Sequence, residues 1–277
     1  MPKERYHLMI ADRCFDAMRA SKTLPLSLDA HRFAFRLGSI SPDTLFYDLP
    51  FFFFSDTGRA LHRFAARASI GAFAARLDGR QTSLRDEGLA WVLGMASHFL
   101  ADELYHPVIN RLAHPERGFC PPKLSAGDCH HWVESEMEAA RLSLSAPPDG
   151  YAAFLRKATR RSAVARISGF LHEFLKWWGA APRIPGAGRI RCCFFWQASL
   201  LRVFAHVAAG RNKSLLTRHR ATTYAGALIV PPLPVLPAIL ERTGRAEPDL
   251  LALFSDEFFD SAVNLLSGRL SELAARF

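Results

Sequence analysis

A chain of 277 residues that is 49% hydrophobic can build a sizeable core, which excludes a disordered polymer. Lys and Arg number 35 against 26 Asp and Glu, and the resulting net charge of +9 favours anionic partners: phosphate esters, anionic membrane surfaces or nucleic acid. Cys14, Cys120, Cys129, Cys192 and Cys193 are odd in number and show no Cys-x-x-Cys spacing, which argues against a disulfide framework or a cysteine-rich zinc site.

In chain order, apolar residues recur every three to four positions over 6–20, 59–77, 84–105, 130–144, 151–178, 192–210 and 249–277. This period predicts amphipathic helices, and no alternating run predicts a strand. Gly and Pro place loops at 38–43, 144–150 and 181–189. The expected fold is all-α, a single compact multi-helix domain over 1–277. Its chemistry-bearing half is about 1–145, with helical completion over about 146–277.

The opening MPKERYHLMI lacks the apolar run and small-residue cleavage site of a leader, so the expected location is the cytoplasm. The four phenylalanines at 51–54 are expected to pack in the core, with an acyl or interfacial surface as the alternative. The apolar stretch 224–240 is broken by four prolines and is shorter than a spanning helix of about 20 residues. No transmembrane segment is expected: the stretch reads as a buried irregular segment, with peripheral membrane contact as the alternative.

Chemistry concentrates in LGMASHFLADELYHPVIN, where His98, Asp102 and His106 stand at i, i+4 and i+8. Each step of four advances a helix by only about 40°, so the three share one stripe. Two imidazoles and a carboxylate suit zinc, and a carboxylate buried among apolar neighbours needs a cation or a dense hydrogen-bond network. In DCHHWVESEMEAA, His130 and Glu134 repeat the four-residue spacing, with His131 and Glu138 as alternates. Two such helices can offer ligands to one cavity. Upstream, His7 starts an apolar helical stretch, Asp43 sits in a Gly/Pro loop, and His62 sits inside an apolar helix. Each of these three taken singly reads as a structural polar residue with a local partner.

Together these segments resemble the bacterial zinc-dependent phospholipase C family, whose secreted members include phosphatidylcholine-hydrolysing enzymes and clostridial alpha-toxin. RYHLMIADRCFDAM resembles the opening helix with its early histidine, at His7. GSISPDTLFYD resembles the loop with a metal-binding aspartate, at Asp43, and His62 falls where the next histidine is expected. SHFLADELYHP resembles the His-x-x-x-Asp…His helix, and HHWVE the following His-x-x-x-Glu. The resemblance spans roughly 4–140. The short Asp102-to-His106 spacing is similar to that of intracellular members, and the choline-binding residues of the toxins have no counterpart.

The resemblance implies a multinuclear centre of two or three zinc ions, or another first-row divalent metal. It implies Asp43, His62, His98 and Asp102 around one ion, and His106, His130 and Glu134 around a second. His7, with Asp102 bridging, would serve a third. It also implies phosphodiester hydrolysis by a zinc-activated water, with phospholipid as substrate and Asp43 as the alternative general base. Two rivals share the fold: a phosphodiesterase acting on nucleic acid, where aromatic rings would stack on bases, and a non-catalytic protein stabilised by metal.

Overall fold

A computed structural model describes residues 3–114, 125–144, 151–160, 162–209 and 254–277. Among the described residues every regular element is helical, as expected: α1 (Lys3–Ala20), α2 (Arg32–Thr44), α3 (Ser55–Leu61), α4 (Phe64–Ala74), α5 (Thr82–Ala113), α6 (Ala126–Leu144), α7 (Tyr151–Ala158), α8 (Ala165–Trp178), α9 (Ala187–Ala209) and α10 (Asp256–Ala274). Short 3-10 turns at Leu26–His31, Leu45–Tyr47 and Ala75–Leu77 join several of them. No described helix is long and apolar enough to cross a membrane. The stretch 224–240 lies outside the described residues.

The chain forms two compact units. The first comprises Met1–Tyr6, Asp102–Asp149 and Leu201–Ala262; the second comprises His7–Ala101, Gly150–Leu200 and Val263–Phe277. Helix α5 contributes residues to both. In the second unit, Leu89 to Met95 of α5 are buried on every side, which is the pattern of a central helix. Fully buried Trp91 stands against the rings of Phe73, Phe170 and Phe174, and Phe15 meets Phe35 edge-on at 5.2 Å. In the first unit, Tyr6 packs edge-on against Tyr105 and Phe259, and the Arg141 guanidinium lies 3.9 Å from the Phe259 ring centre.

Four expectations are corrected. Residues 38–43 are not a loop but lie inside α2. Gly38 is there for a close helix crossing: a Cβ on it would stand 2.2 Å from the Trp91 carbonyl oxygen, and one on Gly94 would stand 2.0 Å from that of Phe35. The Ser39 and Ser41 hydroxyls donate to the carbonyls of Arg36 and Leu37, a bond pattern that suits serine inside a helix. Pro42 lies inside the last turn of α2, where it removes one i→i−4 hydrogen bond. The expected helix 59–77 breaks at His62 and Arg63, between α3 and α4. The expected helix 151–178 divides into α7 and α8, with Arg156 and Arg160 forming a like-charged i,i+4 pair at the break. Helix α5 continues through Pro107 to Ala113, because buried Ile109 and Leu112 hold its last turns in the core.

Glu138 of α6 is fully buried beside Arg5, whose Nε stands 3.5 Å from Oε1. Burial pushes its pKa up to about 8, with Glu4 adding to the rise and Arg5 opposing it. Between an ordinary 4.5 and about 8 the folded chain holds a proton that the unfolded chain releases, so this group's contribution to stability falls as pH rises through that window. Urea unfolding of chelator-treated protein at pH 5, 6.5 and 8 should show that decline, and Glu138→Gln should flatten it. Separately, Gly94→Ala should destabilise the chain by about 3 kcal/mol, the upper end of overpacking, as read from the unfolding midpoint.

Candidate metal centre

In the second unit three helices and one connection bring four side chains together. His7 comes from α1, Asp43 from α2, His98 from α5, and His62 from the connection after α3. Asp43 and His98 are fully buried and His7 nearly so. Ligand-capable atoms of His7, Asp43 and His98 all lie within 4.8 Å of one another. The His7 and His98 rings stack with centroids 3.9 Å apart. His62 Nε2 stands 3.2 Å from Asp43 Oδ1 and 3.2 Å from His98 Nε2.

The second-unit histidines are oriented by backbone. His98 Nδ1 lies 2.8 Å from the Ser39 carbonyl oxygen, and His62 Nδ1 lies 2.8 Å from that of Gly58. A carbonyl can only accept, so Nδ1 of each ring carries the proton and Nε2 presents its lone pair. The two Nε2 atoms therefore face each other across 3.2 Å, beside the buried Asp43 carboxylate. One shared proton or one divalent cation can occupy that contact. A single divalent cation satisfies both nitrogens and the carboxylate.

In the first unit, α5 supplies Asp102, His106 and Asn110, and α6 supplies His130, His131 and Glu134. Ligand-capable atoms of His106, His130 and Glu134 lie within 4.8 Å of one another. Glu134 Oε1 is 3.0 Å from His130 Nε2 and 3.6 Å from His106 Nε2, and Asp102 Oδ1 is 3.4 Å from His106 Nε2. His130 Nδ1 is 2.9 Å from Asn110 Oδ1, which again turns Nε2 inward. His131 Nδ1 lies 3.2 Å from Glu134 Oε2.

The spacings fit zinc. Ligand atoms about 2.1 Å from a tetrahedral ion stand roughly 3.4 Å from one another, and the separations in both groups cluster there. His106 and His130 side chains are 25% and 21% exposed, so the first-unit group is open to solvent on one side. Such an opening is what a catalytic site requires and a closed structural site lacks.

The structure thus brings His7, Asp43, His62 and His98 together in one unit and Asp102, His106, His130 and Glu134 together in the other. Asp43 and His62 reach these positions from a helix and a connection, the reverse of the sequence expectation. Of the two alternates, His131 touches Glu134, whereas Glu138 turns to Arg5. The sequence reasoning missed the groups that fix the rings. Ser39 and Gly58 act through main-chain oxygens and carry no sequence signal. Asn110 extends the four-residue series 98, 102, 106 by one further step, and that spacing could have found it. Cys129, beside His130, is disulfide-bonded, while Cys14, Cys192 and Cys193 are free thiols. One other expectation fails: the phenylalanine run is not core. Phe51, Phe52 and Phe53 are 58%, 54% and 54% exposed.

Comparison with known families matches residues 6–174 to the model described as zinc dependent phospholipase C. The chain belongs to that family. The match runs past the motif-bearing segment 4–140 and ends within α8. No curated protein and no solved structure gives a significant match. The family is zinc-dependent, and the His, Asp and Glu groups described above are of the kind that binds this metal.

Zinc added to metal-stripped protein should raise the melting temperature. At a free concentration a hundredfold above the dissociation constant, the gain is about 2.7 kcal/mol. Asn110→Ala should weaken zinc binding about 10- to 100-fold in a chelator-competition titration, the usual effect of losing a partner that orients a ligand. Protein that holds no metal by elemental analysis and shows no thermal shift with zinc would remove the centre.

Proposed function

We propose that the protein is a phospholipase C-type phosphodiesterase. Water would replace the glycerol oxygen at phosphorus, releasing a diacylglycerol and a phosphorylated headgroup. The observation that supports this most is the facing pair of His62 and His98 Nε2 atoms beside buried Asp43, an arrangement that suits a divalent cation. Family membership supports phospholipid as the substrate class. Zinc in such a centre lowers the pKa of water toward about 7 and neutralises phosphoryl charge.

The chain's own residues do the rest. His7, His62 and His98 would hold metal on one side of Asp43, and His106, His130 and Glu134, with Asp102, would form the more open group. Asp43 would accept the proton of the attacking water through whichever oxygen it does not commit to metal. Its place in a packed helix fixes that carboxylate within the tolerance acid–base transfer needs. The Ser39, Gly58 and Asn110 oxygens keep the histidine rings from rotating away.

The test is a panel of phospholipid, bis(p-nitrophenyl) phosphate and single-stranded DNA presented to metal-loaded protein. Phospholipid and the synthetic diester should be cleaved and the DNA left intact; cleavage of DNA alone would replace this reading with the nuclease one. Asp43→Asn keeps the volume and one oxygen but not the basicity. It should lower turnover about a hundredfold while metal content, measured on the same sample, stays near the wild-type level. Full activity would remove Asp43 from the mechanism, and loss of all metal would reduce it to a ligand.

A further inference from the structure

We propose that the loop carrying Phe51, Phe52 and Phe53 docks the protein on the surface of an anionic phospholipid bilayer; the choice of lipid as partner rests on the phospholipase reading, and the geometry of the loop does not. Three consecutive rings stand more than half exposed, and Phe51 and Phe53 stack with centroids 5.3 Å apart. The exposure is built into the loop. Asp48, 1% exposed, accepts from the Phe53 amide through Oδ2 at 2.9 Å and from the Phe52 amide through its main-chain oxygen at 2.6 Å. The same carboxylate takes the Arg189 guanidinium, which also stands 5.6 Å from the centre of the Phe51 ring. Phe52 adopts a φ of 54°, a left-handed conformation that a bulky side chain avoids unless its surroundings impose it. Ser55 closes the loop by donating its hydroxyl to the Phe52 carbonyl at 2.6 Å.

Size and charge select the occupant. Three half-exposed phenylalanines offer roughly 300 Å² of apolar surface, well short of the about 800 Å² per partner of a stable protein interface. A bilayer needs less, since a few inserted rings combined with cations suffice for peripheral binding. Arg189 lies under the loop. Trp196, 40% exposed, follows it by seven residues on α9 and so lies two turns along the same face. Exposed Arg183 and Ile184 precede α9, held to α3 by the Thr57 hydroxyl, which donates to the Arg183 carbonyl at 2.6 Å. Of the acids on this side, Asp56 is engaged by Arg59 and Asp48 by Arg189. The loop is spliced between two residues of the candidate centre, Asp43 before it and His62 after it, and the Phe46 ring lies 5.7 Å from that of His62.

Co-sedimentation of the full chain with vesicles of phosphatidylglycerol and phosphatidylcholine, and with phosphatidylcholine alone, tests the proposal. Running it with and without chelator separates docking from the metal centre. The wild type should partition onto the anionic vesicles in both conditions. Phe51→Ser with Phe53→Ser should weaken partition at least tenfold with unchanged zinc binding. Phe52→Gly, which suits the left-handed backbone and so keeps the loop, should give an intermediate loss. Unchanged partition of both variants overturns the proposal, as does a wild type that ignores anionic vesicles. A concentration-dependent dimer in sedimentation velocity that the double substitution abolishes, with no vesicle binding, overturns it in favour of a second copy. Vesicle binding that depends on the rings in a protein that cleaves no phosphodiester leaves docking standing and sinks the proposed activity instead.

Discussion

The crossing of α2 and α5 at Gly38 and Gly94 is the constraint on which the second-unit site depends. Neither position has room for a Cβ, because each backbone sits against the other's carbonyls. That approach lets the Ser39 carbonyl reach His98 Nδ1 at 2.8 Å, and the Ser41 hydroxyl accept from the Trp91 indole at 2.9 Å. His98 is one turn beyond Gly94, and Asp43 about one turn beyond Ser39. The tautomer of a candidate ligand and the burial of a candidate carboxylate thus follow from two missing methyl groups. A wider crossing would free the His98 ring to rotate and would admit water around Asp43.

The buried acids show how a helical core separates two uses of one side chain. Glu134 and Glu138 stand one turn apart on α6, and both are buried. Glu134 faces His130, His131 and His106, all with nitrogen atoms within 3.6 Å of its oxygens. Glu138 faces Arg5 at 3.5 Å and Glu4, and burial raises its pKa despite the arginine. The first surroundings suit an ionised carboxylate once a dication is present; the second suit a neutral acid. Composition cannot distinguish the two, since both are glutamates beside basic residues. What distinguishes them is whether the neighbours can share a cation or already carry one.

Much of the site was legible because metal ligation and helix geometry share a four-residue repeat. His98, Asp102 and His106, and then His130 and Glu134, follow from spacing alone, and the structure brings His106, His130 and Glu134 together. The failures have a common cause: a residue type was read by its usual role when tertiary packing had assigned it another. Gly38 and Pro42 suggested a loop, but the glycine serves a helix crossing and the proline falls in a last turn. Apolar spacing around His62 suggested one helix, but its Nδ1 bonds back to the Gly58 carbonyl just where α3 ends. Phenylalanines suggested core, yet Asp48 and Arg189 hold three of them in solvent through contacts between residues about 140 positions apart, which no local window contains.

Helix geometry also bears on how many ions the proposed centre needs. His98 and His106 are eight residues apart on α5, about 12 Å along its axis and about 80° around it. Helical side chains all lean toward the N-terminus, so two of them cannot lean toward each other across that distance. One ion with ligand atoms about 2.1 Å away would require such convergence. The contacts each residue makes agree with that limit: His98 stands with His7, Asp43 and His62, whereas His106 stands with Asp102, His130 and Glu134. Chelation at i and i+4 is within reach of a helix, and chelation at i and i+8 is not. Two residues at i and i+8 that both ligate metal would therefore serve different ions.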